Sequence, residues 1–218
     1  MRYYRIPGIL VLLAVVVAAT GCSSMYYSTM EAFGREKRHI LKSNIEAVST
    51  EQTKAATQFT DTLTRLKTMY GFEGGDLEKT YRKLQSDHED CGVRAKAVRK
   101  RIADMEEVAG DLFKEWEKEI TQISSSDLRA KSEESLRETR RRYGRLDDAV
   151  TQAASRMDPV LQQLKDYVLY LKHNLNAQAV GSLKVEADKI EAQVNQLVSD
   201  IEKSVGEAQE FLKTLEKP

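Results

Sequence analysis

From Phe33 to Leu215, apolar residues return at alternating spacings of three and four, with Lys, Arg, Glu, Asp and Gln filling the positions between. A repeat of about 3.5 residues keeps one apolar stripe turned toward a neighbouring helix, whereas a strand would alternate every second residue. Four such seams can be written along the chain. The first passes through Phe33, Leu41, Ile45, Val48, Gln52, Ala55, Phe59, Leu63, Leu66 and Tyr70. The second, the most regular, runs Leu77, Tyr81, Leu84, His88, Cys91, Ala95, Val98, Ile102, Met105, Ala109, Leu112, Trp116 and Ile120. The third holds Leu136, Thr139, Tyr143, Leu146, Val150, Ala153, Met157, Val160, Leu164, Val168, Leu171 and Leu175. The fourth holds Val180, Leu183, Ala187, Ile190, Val194, Leu197, Ile201, Val205, Ala208, Leu212 and Leu215.

The interruptions are short. Gly71 to Asp76 separates the first two seams, and Ser124 to Ser126 the next two, with Ser124 and Asp127 spaced as a loose capping box. Only Asn174 and Asn176 mark the third turn. Asp158-Pro159 falls inside the third seam without disturbing its phase, which predicts one kinked helix and not two. Folding each seam back on the last brings Phe59 level with His88, Met105 with Leu146, and Val150 with Ile201. The fold predicted is all-α: an elongated, antiparallel up-down-up-down four-helix bundle of coiled-coil character, with helices of about 40 to 47 residues and a height of roughly 60 to 70 Å.

The chain's first 22 residues carry a different pattern. Arg2 and Arg5 precede an uncharged apolar run from Ile9 to Ala19, and Ala19-Thr20-Gly21-Cys22 ends it in small residues. This is the layout of a bacterial lipoprotein signal, with Cys22 as the acylated first residue of the mature chain. The run is well short of the roughly 20 residues a membrane-spanning helix needs. The predicted organisation is a signal peptide over residues 1–21, a short acylated segment over 22–29, and the bundle domain over 30–218. Ser23 and Ser24 follow Cys22 with no adjacent Asp. That resembles the sorting signal that sends lipoproteins to the outer membrane, so the expected location is the cell envelope, lipid-anchored and facing the periplasm.

Loss of residues 1–21 leaves 197 of the 218 residues and, without Arg2 and Arg5, 32 basic against 34 acidic. That length suffices for one domain with a core, and that balance argues against nucleic acid as a partner. With Cys22 acylated, Cys91 is the one free thiol, safest when buried.

Candidate chemistry is sparse. His88 and Cys91 stand one turn apart and both types ligate zinc or copper, but both are seam positions among apolar neighbours and, with Trp116, are assigned to the core. Glu36 and His39 have the spacing of a di-iron motif, yet a second copy is missing. The reading is therefore of no cofactor, no metal, no catalytic residue and no enzyme. Arg137, Arg140, Arg141, Arg142 and Arg145 could grip anionic groups; alternatively they pair with Glu106, Glu107, Asp111 and Glu115 on the second helix, as Lys100 and Arg101 would with Asp147 and Asp148. Gly110 and Gly144 fall at matching heights, consistent either with close backbone approach or with tolerated surface glycine. One end gathers Phe72, Asp76, Tyr170, His173, Asn174 and Asn176. These could form a partner-docking tip, while turn chemistry and capping account for many of the same residues.

Phe72-Glu73-Gly74-Gly75-Asp76-Leu77-Glu78, Leu112-Phe113-Lys114-Glu115-Trp116-Glu117, Leu136 to Tyr143 and Leu171 to Ala177 occur in this order. Together they resemble the bacterial domain-of-unknown-function family 2959, over roughly residues 30 to 213. Members of that family often begin with a lipoprotein-type signal, and the resemblance implies no activity and no site residue. The function expected is a membrane-anchored, non-enzymatic scaffold, spacer or docking module with a protein partner. The alternative is a helical bundle that takes a small ligand or a metal.

Overall fold

The computed structural model describes the backbone of residues 9–70, 77–174 and 176–216, and the side chains among these from residue 36 on, apart from 177 and 216. Among the described residues there are helices and no strands: α1 (Ile9–Met69), α2 (Leu77–Ile120), α3 (Ser126–His173), α4 (Ala177–Val185) and α5 (Ala187–Glu216). The all-α expectation therefore holds, with five helices where four were predicted. α1 packs on α2 and α5, α2 on α3, and α3 on α5. Lys37 meets Glu115 at 3.2 Å, Asn44 donates to the Asp104 carbonyl at 3.2 Å, and Arg65 pairs with Asp87. Later residues of α1 thus meet earlier residues of α2.

The core follows the seams. Leu41, Ile45, Phe59, Leu66, Leu84, Met105, Leu146, Met157, Leu164, Leu171 and Ile190 are fully buried, each contributing roughly 1.5 to 3 kcal/mol by leaving water. The buried stripe is wider than a strict seam, because a straight helix at 3.6 residues per turn drifts about 20° per heptad against a 3.5 repeat. Hence Thr62 is buried beside Leu63, Phe113 beside Leu112 and Tyr167 beside Val168. The same drift moves three positions by one residue: Asp87 is buried in place of His88, Met69 more deeply than Tyr70, and Ser204 in place of Val205. Phe113, Tyr143 and Phe211 join the helices in an aromatic layer, with ring centroids 5.5 and 5.8 Å apart in edge-on geometry.

Two local expectations need revision, and a third, that one helix runs through Pro159, holds. The cap of α3 is Ser125, not Ser124; its hydroxyl accepts from the Leu128 N–H at 3.4 Å. α3 passes Pro159 unbroken. The predicted fourth helix is divided at Glu186, whose backbone (φ −89°, ψ −1°) turns within the right-handed region so that its N–H reaches the Leu183 and Lys184 carbonyls. The buried positions step from Leu183 to Ala187 to Ile190 across the break, so the seam keeps its phase while the helix does not. Neither Gly nor Pro marks the place.

Candidate functional site

The tip residues that are described gather where α3 hands over to α4. Asn174 ends α3: its N–H bonds the Leu171 carbonyl at 3.1 Å, and its side-chain amide donates to the Tyr170 carbonyl at 2.9 Å. Asn176 begins α4, with Oδ1 accepting from the Ala179 N–H at 2.9 Å. Both asparagines are thereby occupied by helix ends. Tyr170, His173 and Asn176 are exposed, and Leu169 and Val185 stand exposed on the same segments, Val185 at 81%. Phe72 and Asp76 lie outside the described residues, as does the Cys22 side chain, although the backbone of Cys22 belongs to α1. The end of α1 shares this region: Lys67 pairs with Glu191 at 2.5 Å.

The interior candidates separate. Cys91 is fully buried with Sγ 3.4 Å from the Thr62 hydroxyl, and burial pushes its thiol up to about 11, which leaves it protonated and unreactive at neutral pH. His88 is not in the core; it lines a surface depression with Asp158 and Lys165. Trp116 is partly buried against the core, its indole N–H donating to Ser132 at 3.1 Å and its ring lying 5.4 Å beneath the Arg38 guanidinium. Glu36 and His39 are exposed, and Thr139 is half-buried with its hydroxyl on the Ser135 carbonyl. Among the described residues, no group of three or more His, Cys, Asp or Glu side chains is arranged to hold a metal ion.

Gln52 is the seam polar residue that does join a cluster. It is fully buried on α1, accepts from the Ser204 hydroxyl at 2.5 Å and donates to the Val150 carbonyl at 3.4 Å, tying α1 to α5 and α3. Sequence reasoning had no signal for Ser204, which stands beside the more obvious Val205. It also missed Asp87, buried on α2 and paired with Arg65 and with Lys83 at 3.4 Å, and Asp200, which accepts from Arg156 at 3.0 Å and Gln196 at 3.1 Å.

The arginines of α3 are paired within the molecule, but with other partners than the sequence suggested. Arg137 pairs with Glu134, while Arg141 and Arg142 share Glu138, all on their own helix. Arg140 reaches Glu117 at 2.6 Å and covers the Phe113 ring, and Arg145 lies 3.9 Å from Glu207 on α5. Lys100 and Arg101 both turn to Asp104. Asp147 and Glu106 therefore lack those cations: burial first, then Asp148, raises Asp147, and burial first, then Asp147, raises Glu106. Gly110 and Gly144 do not mark a close approach, since a Cβ added at either would meet open space.

These features define an all-helical protein whose described polar groups mainly serve pairing and capping. The chain belongs to the family described as "Protein of unknown function (DUF2959)", whose family model matches residues 26–215. No curated protein and no solved structure matches it. Among the described residues no helix is long and apolar enough to cross a membrane; the side chains of the Ile9 to Ala19 run fall outside them.

Proposed function

We propose that the mature chain is a lipid-anchored, non-enzymatic docking module of the bacterial cell envelope, held at the outer membrane through acylated Cys22 and facing the periplasm. Its helices stand as an antiparallel up-down-up-down bundle in which α4 and α5 together form the fourth member. Contacts supporting that arrangement include Lys37 with Glu115 and Arg65 with Asp87 for the first pair. Arg99 with Asp158 and Arg140 with Glu117 serve the second, and Arg145 with Glu207 and Tyr167 with Glu186 the third. The bundle projects its α3–α4 end away from the membrane toward a protein partner.

The observation that carries the docking role is where apolar surface stays uncovered. Of the six large apolar side chains exposed among the described residues, three lie on the elements that the capping asparagines join, Leu169 and Tyr170 in the last turns of α3 and Val185 at the close of α4. Single exposed apolar residues are ordinary, whereas a group of them at one end is what a partner would cover. The anchor rests on Ala19-Thr20-Gly21-Cys22 after its apolar run. Mass spectrometry of the amino-terminal peptide tests it. The expected result is a chain beginning at Cys22 and carrying acyl mass, with Cys22→Ser released from the membrane fraction; an unmodified Cys22 in a membrane-free chain would contradict the anchor.

A further inference from the structure

α3 ends at His173, α4 begins at Ala177, and the far end of α4 meets α3 again where the Tyr167 hydroxyl donates to the Glu186 carbonyl at 3.1 Å. α4 therefore lies along the last turns of α3. What holds it there is slight. Its buried side chains among the described residues are Ala179, Val180 and Leu183, and no polar side chain described on α4 reaches another helix; the Ser182 hydroxyl turns to the Gln178 carbonyl within α4 itself. Nine residues are too few for a helix to persist in water without outside support. Gly181, at its centre, weakens it further, and packing gives no reason for a glycine, since a Cβ there would meet open space. Both ends of α4 are closed locally: Asn176 caps the start, and the Glu186 N–H takes the Leu183 and Lys184 carbonyls at the finish.

We propose that α4 is a strap that opens as a unit, ahead of the rest of the molecule, between Asn176 and the tie from Tyr167 to Glu186. Tyr167 keeps α5 seated while α4 leaves. Opening bares Val168 and Leu171 beside Leu169 and Tyr170, which are exposed already. α3 then presents apolar residues on every side from Tyr167 to Leu171, the composition of a helix that is covered all round. The occupant that fits is a short amphipathic helix with aliphatic side chains at the spacing of Ala179, Val180 and Leu183, because α4 fills the place in that form. The use of the strap rests on the docking reading, and its motion does not.

Hydrogen exchange of the full chain in detergent, read by mass spectrometry, tests the motion. Amides of α4 are expected to exchange at least about a hundredfold faster than those of residues 191–208 in α5. Gly181→Ala should slow α4 about fivefold, and Leu183→Ala should speed it at least about tenfold, both leaving α5 and the denaturant midpoint unchanged. A labelled peptide of residues 176–186 tests the occupant. It should bind the full chain saturably, about fivefold more weakly to Gly181→Ala and more tightly to Leu183→Ala, because apparent affinity follows the open fraction. Exchange of α4 at the rate of α5, or a lowered midpoint with faster exchange throughout α5 in Leu183→Ala, would overturn the strap. No saturable binding of the peptide even to Leu183→Ala, or equal binding to Gly181→Ala and the unaltered chain, would overturn the helical occupant. Failure of the docking reading shows differently, as no capture by a crosslinker at Tyr170 while α4 still exchanges rapidly.

Discussion

Across α1 and α2, buried and half-buried polar groups find one another: Arg65 with the buried Asp87, Thr62 with Cys91, and Asn44 with the Asp104 carbonyl. Across α3 and α5 near Glu186 they do not; Gln163 and Gln193 keep carbonyl oxygens without protein partners, and the helix itself is divided. Farther along the same pair, Asp200 is fully engaged by Arg156 and Gln196. Tyr143 and Asp147, in the body of the bundle, also keep buried oxygens without a hydrogen-bond partner, so what sets the α4 end apart is the divided helix and the apolar side chains exposed beside it. The body carries the pairs that tie one helix to the next, while the end near α4 has a divided helix and exposed apolar side chains.

The contrast can be broken most forcefully in the body. Phe59→Ala, at a fully buried site, should cost about 3 to 5 kcal/mol in denaturant unfolding, whereas Val185→Ala, at an 81% exposed side chain, should leave the midpoint unchanged. A loss at Val185 as large as at Phe59 would erase the distinction. Next comes Arg65→Met, which strands the carboxylate of Asp87, itself 2% exposed. Lys83 remains 3.4 Å away and Arg65 is partly solvated, so a loss of about 2 kcal/mol is expected, below the full value for a buried pair.

At the other end, Tyr167→Phe removes two hydrogen bonds, one to the Glu186 carbonyl and one from the Gln163 amide, and should cost about 1 to 2 kcal/mol, with faster amide exchange confined to the neighbourhood of Glu186 to Ile190. Uniform acceleration through α5 would mean that Tyr167 supports the whole interface and not the break. Gly110→Ala and Gly144→Ala should each add about 0.8 to 1 kcal/mol, because the new methyl meets open space at both; a loss at either would reveal a contact there.

The smallest effect concerns pH. Burial and neighbouring carboxylates raise Asp147 and Glu106, so the folded chain holds these protons more tightly than the unfolded one. Their contribution is complete below the unfolded carboxylate pKa and is lost as pH rises through the folded values. Asp147→Asn should therefore raise the melting temperature at neutral pH and give no gain in acid; the reverse ordering would mean that Asp147 has a cation partner.

The seams made most of this fold legible, since the buried residues follow spacings of three and four from Leu41 to Ala208. What escaped notice has two physical causes. One is the drift of a straight helix against a heptad, which placed Asp87 and Ser204 inside, next to the His88 and Val205 that the pattern selected. The other is that the Glu186 break preserves the phase of the seam and uses no Gly or Pro, so periodicity passes over it. The arginine run was rightly given intramolecular partners, but i,i+3 and i,i+4 pairs such as Arg142 with Glu138 at 2.7 Å took precedence over those assigned across the helix interface. Asn174 and Asn176 were legible as a turn, and their side chains do act as caps. Gln163 and Tyr167 are neighbours by their i,i+4 spacing on α3, whereas Gln193 joins them only through packing, which the sequence does not show.

The most direct measurement is photo-crosslinking in cells, with a crosslinking residue placed singly at Tyr170 on α3 and at Lys203 on α5. Both positions are exposed, and both belong to the same molecule. A docking end predicts that Tyr170 captures one defined protein while Lys203 captures none. Equal capture at both positions, or capture only at Lys203, would contradict the assignment of the α3–α4 end as the interacting one.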